Sequence, residues 1–202
     1  MRLLGLIPAA LVLLFSGSAF AQGWIEYIDR EQFFSVNLPE EPTVEDTTYT
    51  SQAGESFPAR VYTAEQGRGR YEVTVVDYSD ASVSGVRGSI AWAAWNYRKD
   101  LREAGGEITY DAFAQIDRIE GHQLQITNAD RGRTFVAIHL HARRLYILDA
   151  TVPPGSTPPA LFQASLRILD EEGNRIRYNI DAAGQRTRSG GNWPPPLQPE
   201  PE

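Results

Sequence analysis

Residues 89–104 read SIAWAAWNYRKDLREA, and this stretch decides the fold because it predicts one amphipathic helix in a chain otherwise patterned for strands. Its apolar residues recur at the spacing of one helical face, and they are Ile90, Ala94, Tyr97, Leu101 and Ala104. Ser89 is a suitable N-cap residue, and Gly105-Gly106 is typical of a helix C-terminus. The middle of the chain is therefore predicted to form a helix with one buried face.

Strand patterns lie on both sides of this helix. Alternating apolar residues and turn residues predict strands at 24–28, 34–38, 44–50, 59–64, 71–78, 108–114, 122–127, 134–142 and 145–152. Short links imply mainly antiparallel pairing, because parallel neighbours need long crossovers. Pro158-Pro159 begin a second predicted helix, with Phe162, Leu166 and Leu169 as its apolar stripe. The sequence thus predicts an α+β fold in which two helices cover a mainly antiparallel β-sheet.

The two ends of the chain differ in composition from the middle. Arg2, the apolar run from Leu3 to Phe15 and the small-x-small site Ala19-Phe20-Ala21 predict a signal peptide over residues 1–21. Residues 170–202 are polar and become rich in proline, which predicts a disordered or polyproline-like tail. We therefore expect one α+β domain over residues 22–169.

Composition and charge restrict the class of protein. The chain has no cysteine, so disulfide bonds and a lipid anchor on an acylated cysteine are excluded. Its formal net charge of −7 argues against nucleic acid as the main partner, since such partners require a basic face. Beyond the signal peptide, no segment is long and apolar enough to cross a membrane. We expect a periplasmic or secreted protein that is not a lipoprotein and has no transmembrane segment after signal cleavage.

The segment Phe34–Pro42, FSVNLPEEP, resembles the opening of PsbP-like and DcrB-like domains. Later strands and helices fall where that family has its elements, and the resemblance covers roughly residues 24–169; the matching segments are Tyr71–Asp77, Leu145–Ala150 and Leu161–Leu166. The resemblance implies an α/β/α sandwich around an antiparallel sheet. It also implies a domain that binds other proteins or assists membrane complexes, because no catalytic machinery defines the family.

Trp92 and Trp95 are the first candidate binding residues. They lie three positions apart on the predicted helix and so share a side, beside the apolar stripe. Either the helix is buried over a wide arc, or one indole is exposed. Tryptophan and arginine are common at binding hot spots, and Arg98 and Arg102 follow on the same helix. This helix edge is therefore the predicted contact surface.

His139 and His141 form an H-x-H pair on a predicted strand. Side chains two residues apart share a face of a strand, so both rings could bind one metal ion. His122 is the natural third ligand, but it lies on the parity of Leu124, which is opposite to that of the pair. The alternation therefore predicts that the three imidazoles do not converge, and it leaves solvated or sheet-covering histidines as the other interpretation.

The motifs of nucleophilic and metal-dependent catalysis are absent from the sequence, which contains no G-x-S-x-G, S-x-x-K or H-E-x-x-H. Nothing in the sequence indicates a cofactor. The leading hypothesis is an exported, non-enzymatic domain that binds an envelope protein or assists an envelope complex. The alternative is a periplasmic small-molecule or metal-binding protein, or an enzyme, that uses His139 and His141.

Overall fold

The structure is a computed structural model that describes residues 23–81, 86 and 88–189. The predicted signal peptide at residues 1–21 and the proline-rich end after residue 189 lie outside the described residues. None of the helices in the described ranges combines the length and the apolar character needed to span a bilayer.

The order of strands and helices in the described residues is close to the order that the sequence predicts. The strands are β1 Ile25–Asp29, β2 Phe34–Leu38, β3 Thr43–Thr50, β4 Ser56–Gln66, β5 Gly69–Asp77, β6 Glu107–Ile116, β7 Ile119–Thr127, β8 Arg133–His141, β9 Arg144–Val152, β10 Arg167–Ile168, β11 Tyr178–Ile180 and β12 Arg186–Arg188. The helices are α1 Ser89–Ala104, between β5 and β6, and α2 Ala160–Gln163, between β9 and β10. This element content confirms the predicted α+β class, with more strand than the sequence indicates.

The main sheet of the described residues has seven strands in the order β3-β4-β5-β9-β8-β7-β6. Every neighbouring pair in it is antiparallel, which confirms the pairing predicted from the short links. β1, β2 and β10 form a second, three-stranded sheet, and β11 pairs with β12 in a C-terminal hairpin. Strands β6 and β3 are the two edges of the main sheet.

Both faces of the main sheet are covered, which explains why its central strands are apolar at successive positions. On one face, Val76, Leu124 and Ile138 pack with Ala93 and Ala94 of α1. On the other face, other side chains of the same sheet pack with the small sheet and α2; among them are Val73, Tyr146, Leu148, Phe34, Val36 and Phe162. We call these the helix face and the small-sheet face.

Helix α1 has the bounds that the sequence predicts, but its N-terminus differs in detail. Gly88, at φ 86°, occupies the N-cap position, and Ser89 is already helical without a capping hydrogen bond from its side chain. At the other end, Gly105 adopts φ 75° and its N–H donates to the carbonyl oxygen of Leu101. Glycine at this position allows the left-handed conformation that ends the helix.

The second predicted helix is much shorter than its apolar stripe suggests. α2 covers a single turn, and the chain then forms β10, which pairs with β2. Leu166 and Leu169 are buried as predicted, but they lie outside the helix. The backbone N–H of Leu169 donates to the carbonyl oxygen of Phe33 at 2.8 Å, so strand pairing replaces helical hydrogen bonds here.

The packed region continues past Leu169, the boundary that the sequence predicts. Ile176 is 6% exposed and belongs to the core on the small-sheet face. Its N–H donates to the carbonyl oxygen of Ile168 at 2.7 Å, and the hairpin β11–β12 follows. A segment of mainly polar sequence is thus held to the domain through residue 189.

Candidate functional site

Trp92 and Trp95 stack on each other on the exposed side of α1. Their ring centroids lie 4.9 Å apart, and the ring planes differ by only 11°. Trp92 Nε1 donates to the carbonyl oxygen of Thr50 at 3.0 Å, which fixes the inner indole against the end of β3. Trp95 stays 42% exposed. Of the two arrangements that the sequence leaves open, the structure has one indole exposed.

Arg98 lies one turn after Trp95 and connects α1 to the edge of the main sheet. Its Nε and Nη2 each lie 2.7 Å from a carboxylate oxygen of Asp111 on β6, a bidentate ion pair. This guanidinium holds the pKa of Asp111 down at about 2, and His122 lowers it further. Asp111 is therefore an ionised acceptor at neutral pH.

His122 on β7 completes this polar cluster. Its Nε2 lies 2.6 Å from Asp111 Oδ1 and 3.1 Å from Arg98 Nη2. Because the ionised carboxylate can only accept, Nε2 carries its proton and donates a hydrogen bond to Asp111, and Arg98 Nη2 is a second donor to the same carboxylate. The ring is thereby fixed in one orientation, and its residue is only 8% exposed.

Phe113 extends the cluster into solvent. It lies directly opposite His122 across β6 and β7, and the two rings meet edge to face with centroids 5.4 Å apart. The Phe113 side chain is nevertheless 91% exposed. A continuous chain of contacts therefore runs from Arg98 through His122 to this exposed ring. We call Trp92, Trp95, Arg98 and Phe113 the aromatic–arginine surface.

Arg102, the fourth predicted binding residue, folds back on its own helix. Its Nε donates to the carbonyl oxygen of Arg98 at 3.2 Å. Of the four predicted residues, Arg98 contacts β6 and β7, Trp92 contacts the end of β3, Trp95 stacks on Trp92, and Arg102 contacts the backbone one turn before it.

The two histidines of the H-x-H pair lie on the small-sheet face, and His122 lies on the helix face, as the alternation predicts. His139 is 2% exposed and packs against Gly121, so burial lowers its pKa to about 4. His141 Nε2 lies 2.9 Å from the hydroxyl of Tyr178 on β11. Burial, with Arg186 and Arg188 nearby, lowers the pKa of His141 as well.

In the described part of the chain, His139 and His141 have no third side chain with which they could bind a metal ion. No group of three or more histidine, cysteine, aspartate or glutamate side chains there could hold a metal ion. His139 and His141 instead each pack against a different part of the protein: His139 against the β7 backbone, and His141 against the C-terminal hairpin.

A carboxyl group lies beneath α1 in the apolar centre of the main sheet. Burial raises the pKa of Asp149 on β9 to about 6, and the neighbouring charge of Glu72 adds to this effect, while a hydrogen bond from Tyr97 opposes it. Burial also raises the pKa of Tyr97 well above its ordinary value, with a further contribution from Asp149. A desolvated acid of this kind marks a site where the protein maintains an unfavourable charge.

Sequence reasoning missed Asp111, Phe113 and Asp149, and it considered His122 only as a metal ligand. An aspartate inside the apolar run Leu145–Ala150 was a visible signal for Asp149. Asp111 and Phe113 carry no such signal, because their importance depends on the packing of α1 against β6. Their position opposite Leu124 and His122 follows only from the register of β6 on β7.

The fold is similar to that of cyanobacterial PsbP (CyanoP) from Synechocystis sp. PCC 6803, known from a solution structure. The two chains are 14% identical, with a TM-score of 0.50, and the similarity covers 75% of this chain and 96% of that chain. Such a low identity shows the fold alone, so the expected PsbP-like fold is confirmed without its function. No protein-family model matches the sequence, and none of the curated proteins does.

Proposed function

We propose that this protein is a non-enzymatic domain of the cell envelope that binds another protein through the aromatic–arginine surface. The observation that carries the proposal is the 91% exposure of Phe113 beside Arg98 and His122, which Asp111 holds in place. A phenylalanine placed in solvent loses the stabilisation that burial would give it. Burial of this ring in a complex would recover that stabilisation.

The chemistry of the surface supports a protein as the partner. Trp95 and Phe113 supply apolar area, and Arg98 supplies a guanidinium already positioned by Asp111. Tryptophan, tyrosine and arginine dominate the binding energy of protein interfaces. Because the polar groups of Arg98, Asp111 and His122 already satisfy one another, little side-chain entropy is lost when a partner covers them.

The proposal includes the layered arrangement of a PsbP-like α/β/α sandwich. Helix α1 forms the layer on the helix face, and α2 with the small sheet forms the layer on the other face. In this arrangement Arg98 and Phe113 lie where α1 meets the sheet edge β6, and Trp95 lies one turn before Arg98 on the exposed side of α1, so a partner can contact both the helix and the edge.

The proposed location rests on residues 1–21 acting as a cleaved leader. Expression of the full chain in a Gram-negative host, followed by fractionation and intact-mass measurement, tests it. We expect a periplasmic or secreted product whose mass corresponds to a chain beginning at or near Gln22. Recovery of the uncleaved chain from the cytoplasm would overturn this part of the proposal.

The binding proposal is tested by affinity capture from envelope extracts with the mature chain as bait. Captured proteins are then titrated against the bait and three variants: Phe113→Ala, Trp95→Ala and Leu161→Ala. Loss of a hot-spot aromatic costs about 2 kcal/mol, so we expect the first two variants to bind the partner roughly thirtyfold more weakly.

Leu161→Ala is the matched control, because Leu161 is 87% exposed and lies on α2, which packs with the small-sheet face. It should bind like the unmodified chain. A partner that binds Phe113→Ala and Trp95→Ala with unchanged affinity would show that the aromatic–arginine surface is not the interface.

A further inference from the structure

Five arginines gather where the C-terminal hairpin meets the turn between β6 and β7. We call Arg118, Arg175, Arg177, Arg186 and Arg188 the arginine surface. Arg175 and Arg177 lie 2.5 Å and 3.6 Å from oxygens of Asp117 in that turn. Arg186 donates to the carbonyl oxygen of the adjacent Arg118, and Arg188 pairs with Asp170. The five residues therefore belong to one region.

The two acids that pair with these arginines lie beneath them. The side chains of Asp117 and Asp170 are only 14% and 9% exposed. Those of Arg175, Arg177 and Arg188 are 31%, 30% and 49% exposed. Above Asp117 and Asp170 solvent therefore meets mainly guanidinium groups, while the exposed acids of the segment, Glu171, Glu172 and Asp181, lie in the turns beside them.

Several contacts fix the guanidinium groups before any ligand arrives. Asp117 accepts two hydrogen bonds from Arg175, at 2.5 Å and 3.0 Å. The guanidinium of Arg186 lies 4.1 Å from the ring centroid of Tyr178, whose hydroxyl is held by His141. Groups held in place in this way lose less conformational entropy on binding.

We propose that the arginine surface binds an acidic segment of a partner protein. Planar guanidinium groups match the geometry of carboxylates, which favours glutamate and aspartate side chains as the ligands. The negative net charge of the chain favours a peptide over an anionic membrane as the ligand. An anionic bilayer would face much of this acidic protein and be repelled, whereas a short acidic segment contacts only the arginines.

This surface is distinct from the aromatic–arginine surface. Tyr178 and Ile176 of this region pack with the core of the small-sheet face, whereas α1 covers the helix face. The two surfaces can therefore act independently, and failure of one proposal leaves the other standing.

The test uses the mature chain and a fluorescein-labelled peptide of alternating glutamate and serine, with binding followed by fluorescence anisotropy. We expect saturable binding that weakens as salt is raised, and no binding of the matched peptide of glutamine and serine. The double variant Arg186→Gln/Arg188→Gln should bind the acidic peptide about tenfold more weakly.

The charge-matched control is Arg68→Gln/Arg131→Gln, which removes two exposed arginines from turns elsewhere on the chain. It should retain nearly full affinity. Equal weakening by both double variants would show a general charge effect and overturn the proposal. Binding of phosphatidylglycerol vesicles in place of the peptide would overturn it in favour of a membrane ligand.

Arg188 contacts Asp170, so the double variant could also loosen the hairpin. Arg118→Gln avoids this difficulty, because Arg118 accepts the hydrogen bond from Arg186 with its backbone carbonyl oxygen, which the substitution retains. This variant should keep its thermal unfolding midpoint and still lose a few-fold in affinity for the acidic peptide. Unchanged affinity in Arg118→Gln together with unchanged affinity in the double variant would refute the proposal.

Discussion

Gly121 on β7 has no side chain because the ring of His139 occupies the space beside it. A Cβ at this position would lie 2.2 Å from His139 Nδ1 and 2.4 Å from the carbonyl oxygen of Ile138. The backbone oxygen cannot move away without breaking the pairing of β7 with β8. Glycine therefore allows the strands and the buried imidazole to pack together.

We predict that Gly121→Ala lowers the free energy of unfolding by about 3 kcal/mol, since overpacking in a rigid sheet is costly. Urea denaturation followed by circular dichroism measures the change. Gly23→Ala is the control, because no atom lies within 4 Å of a Cβ built there. A small effect for Gly121→Ala would mean that the imidazole has room to move.

Asp149 makes a contribution to the free energy of unfolding that decreases as the pH rises. Its pKa is about 6 in the folded protein and 3.8 in its ordinary state, so the folded protein binds the proton more tightly. Stability from this group is complete below pH 3.8 and is lost as the pH rises to about 6. At neutral pH the buried charge costs about 3 kcal/mol.

Replacement of Asp149 by asparagine removes this cost and retains an acceptor for the Tyr97 hydroxyl. We expect the variant to match the unmodified protein near pH 4 and to become more stable than it between pH 4 and pH 7. Chemical denaturation at a series of pH values gives the difference. A constant difference across that range would show that the pKa of Asp149 is not raised in the folded protein.

At the scale of elements, Asp117 makes several of the contacts that hold the C-terminal hairpin and the residues before it to the main sheet. Asp117 lies in the β6–β7 turn at φ 51°, binds Arg175 and Arg177, and its carbonyl oxygen accepts the N–H of Tyr178. Its side chain is 14% exposed, so its ion pairs are less screened by solvent than surface pairs. Part of the attachment of this element therefore depends on a few charged contacts.

We predict that Asp117→Asn speeds amide hydrogen exchange in β11 and β12 while exchange in β8 and β9 stays unchanged. The expected cost is about 2 kcal/mol, from the loss of charge-assisted hydrogen bonds. Asparagine tolerates positive φ well, so the substitution adds no backbone strain. Glu103→Gln is the control, because its pair with Lys99 spans 3.9 Å between exposed side chains and should contribute almost nothing.

At the scale of the whole molecule, the small-sheet face is closed by residues that the sequence assigns to a tail. Ile176 completes the core beside Ile168, and the N–H of Ile176 donates to the carbonyl oxygen of Ile168. A chain that ends at Leu169 would leave this part of the core exposed to solvent. The folded unit is therefore longer than the domain suggested by composition.

We expect the free energy of unfolding of a chain truncated after Leu169 to be at least about 3 kcal/mol lower than that of a chain truncated after Ser189. The shorter chain loses a buried isoleucine and the ion pairs of Asp117. Guanidinium denaturation of the two truncations makes the comparison directly. Equal midpoints and slopes would show that residues 170–189 contribute nothing to the stability of the domain.

The sequence alone determined the class of fold, the bounds of α1 and the faces on which the histidines lie. These features follow from local rules: the helical period of residues 89–104, the alternation of side chains along strands, and the glycines that end elements. The same rules predicted that Trp92 and Trp95 share a side of the helix.

Only the tertiary structure decided the short α2, the inclusion of Ile176 in the core and the contacts of Arg98 with Asp111 and His122. Each depends on residues far apart in the chain, brought together by strand register and by the packing of α1 on the sheet. Near β10, pairing with β2 supplies backbone hydrogen bonds that the helical pattern of Phe162, Leu166 and Leu169 cannot anticipate. Local sequence sets what each segment can form, and long-range pairing and burial select among those possibilities.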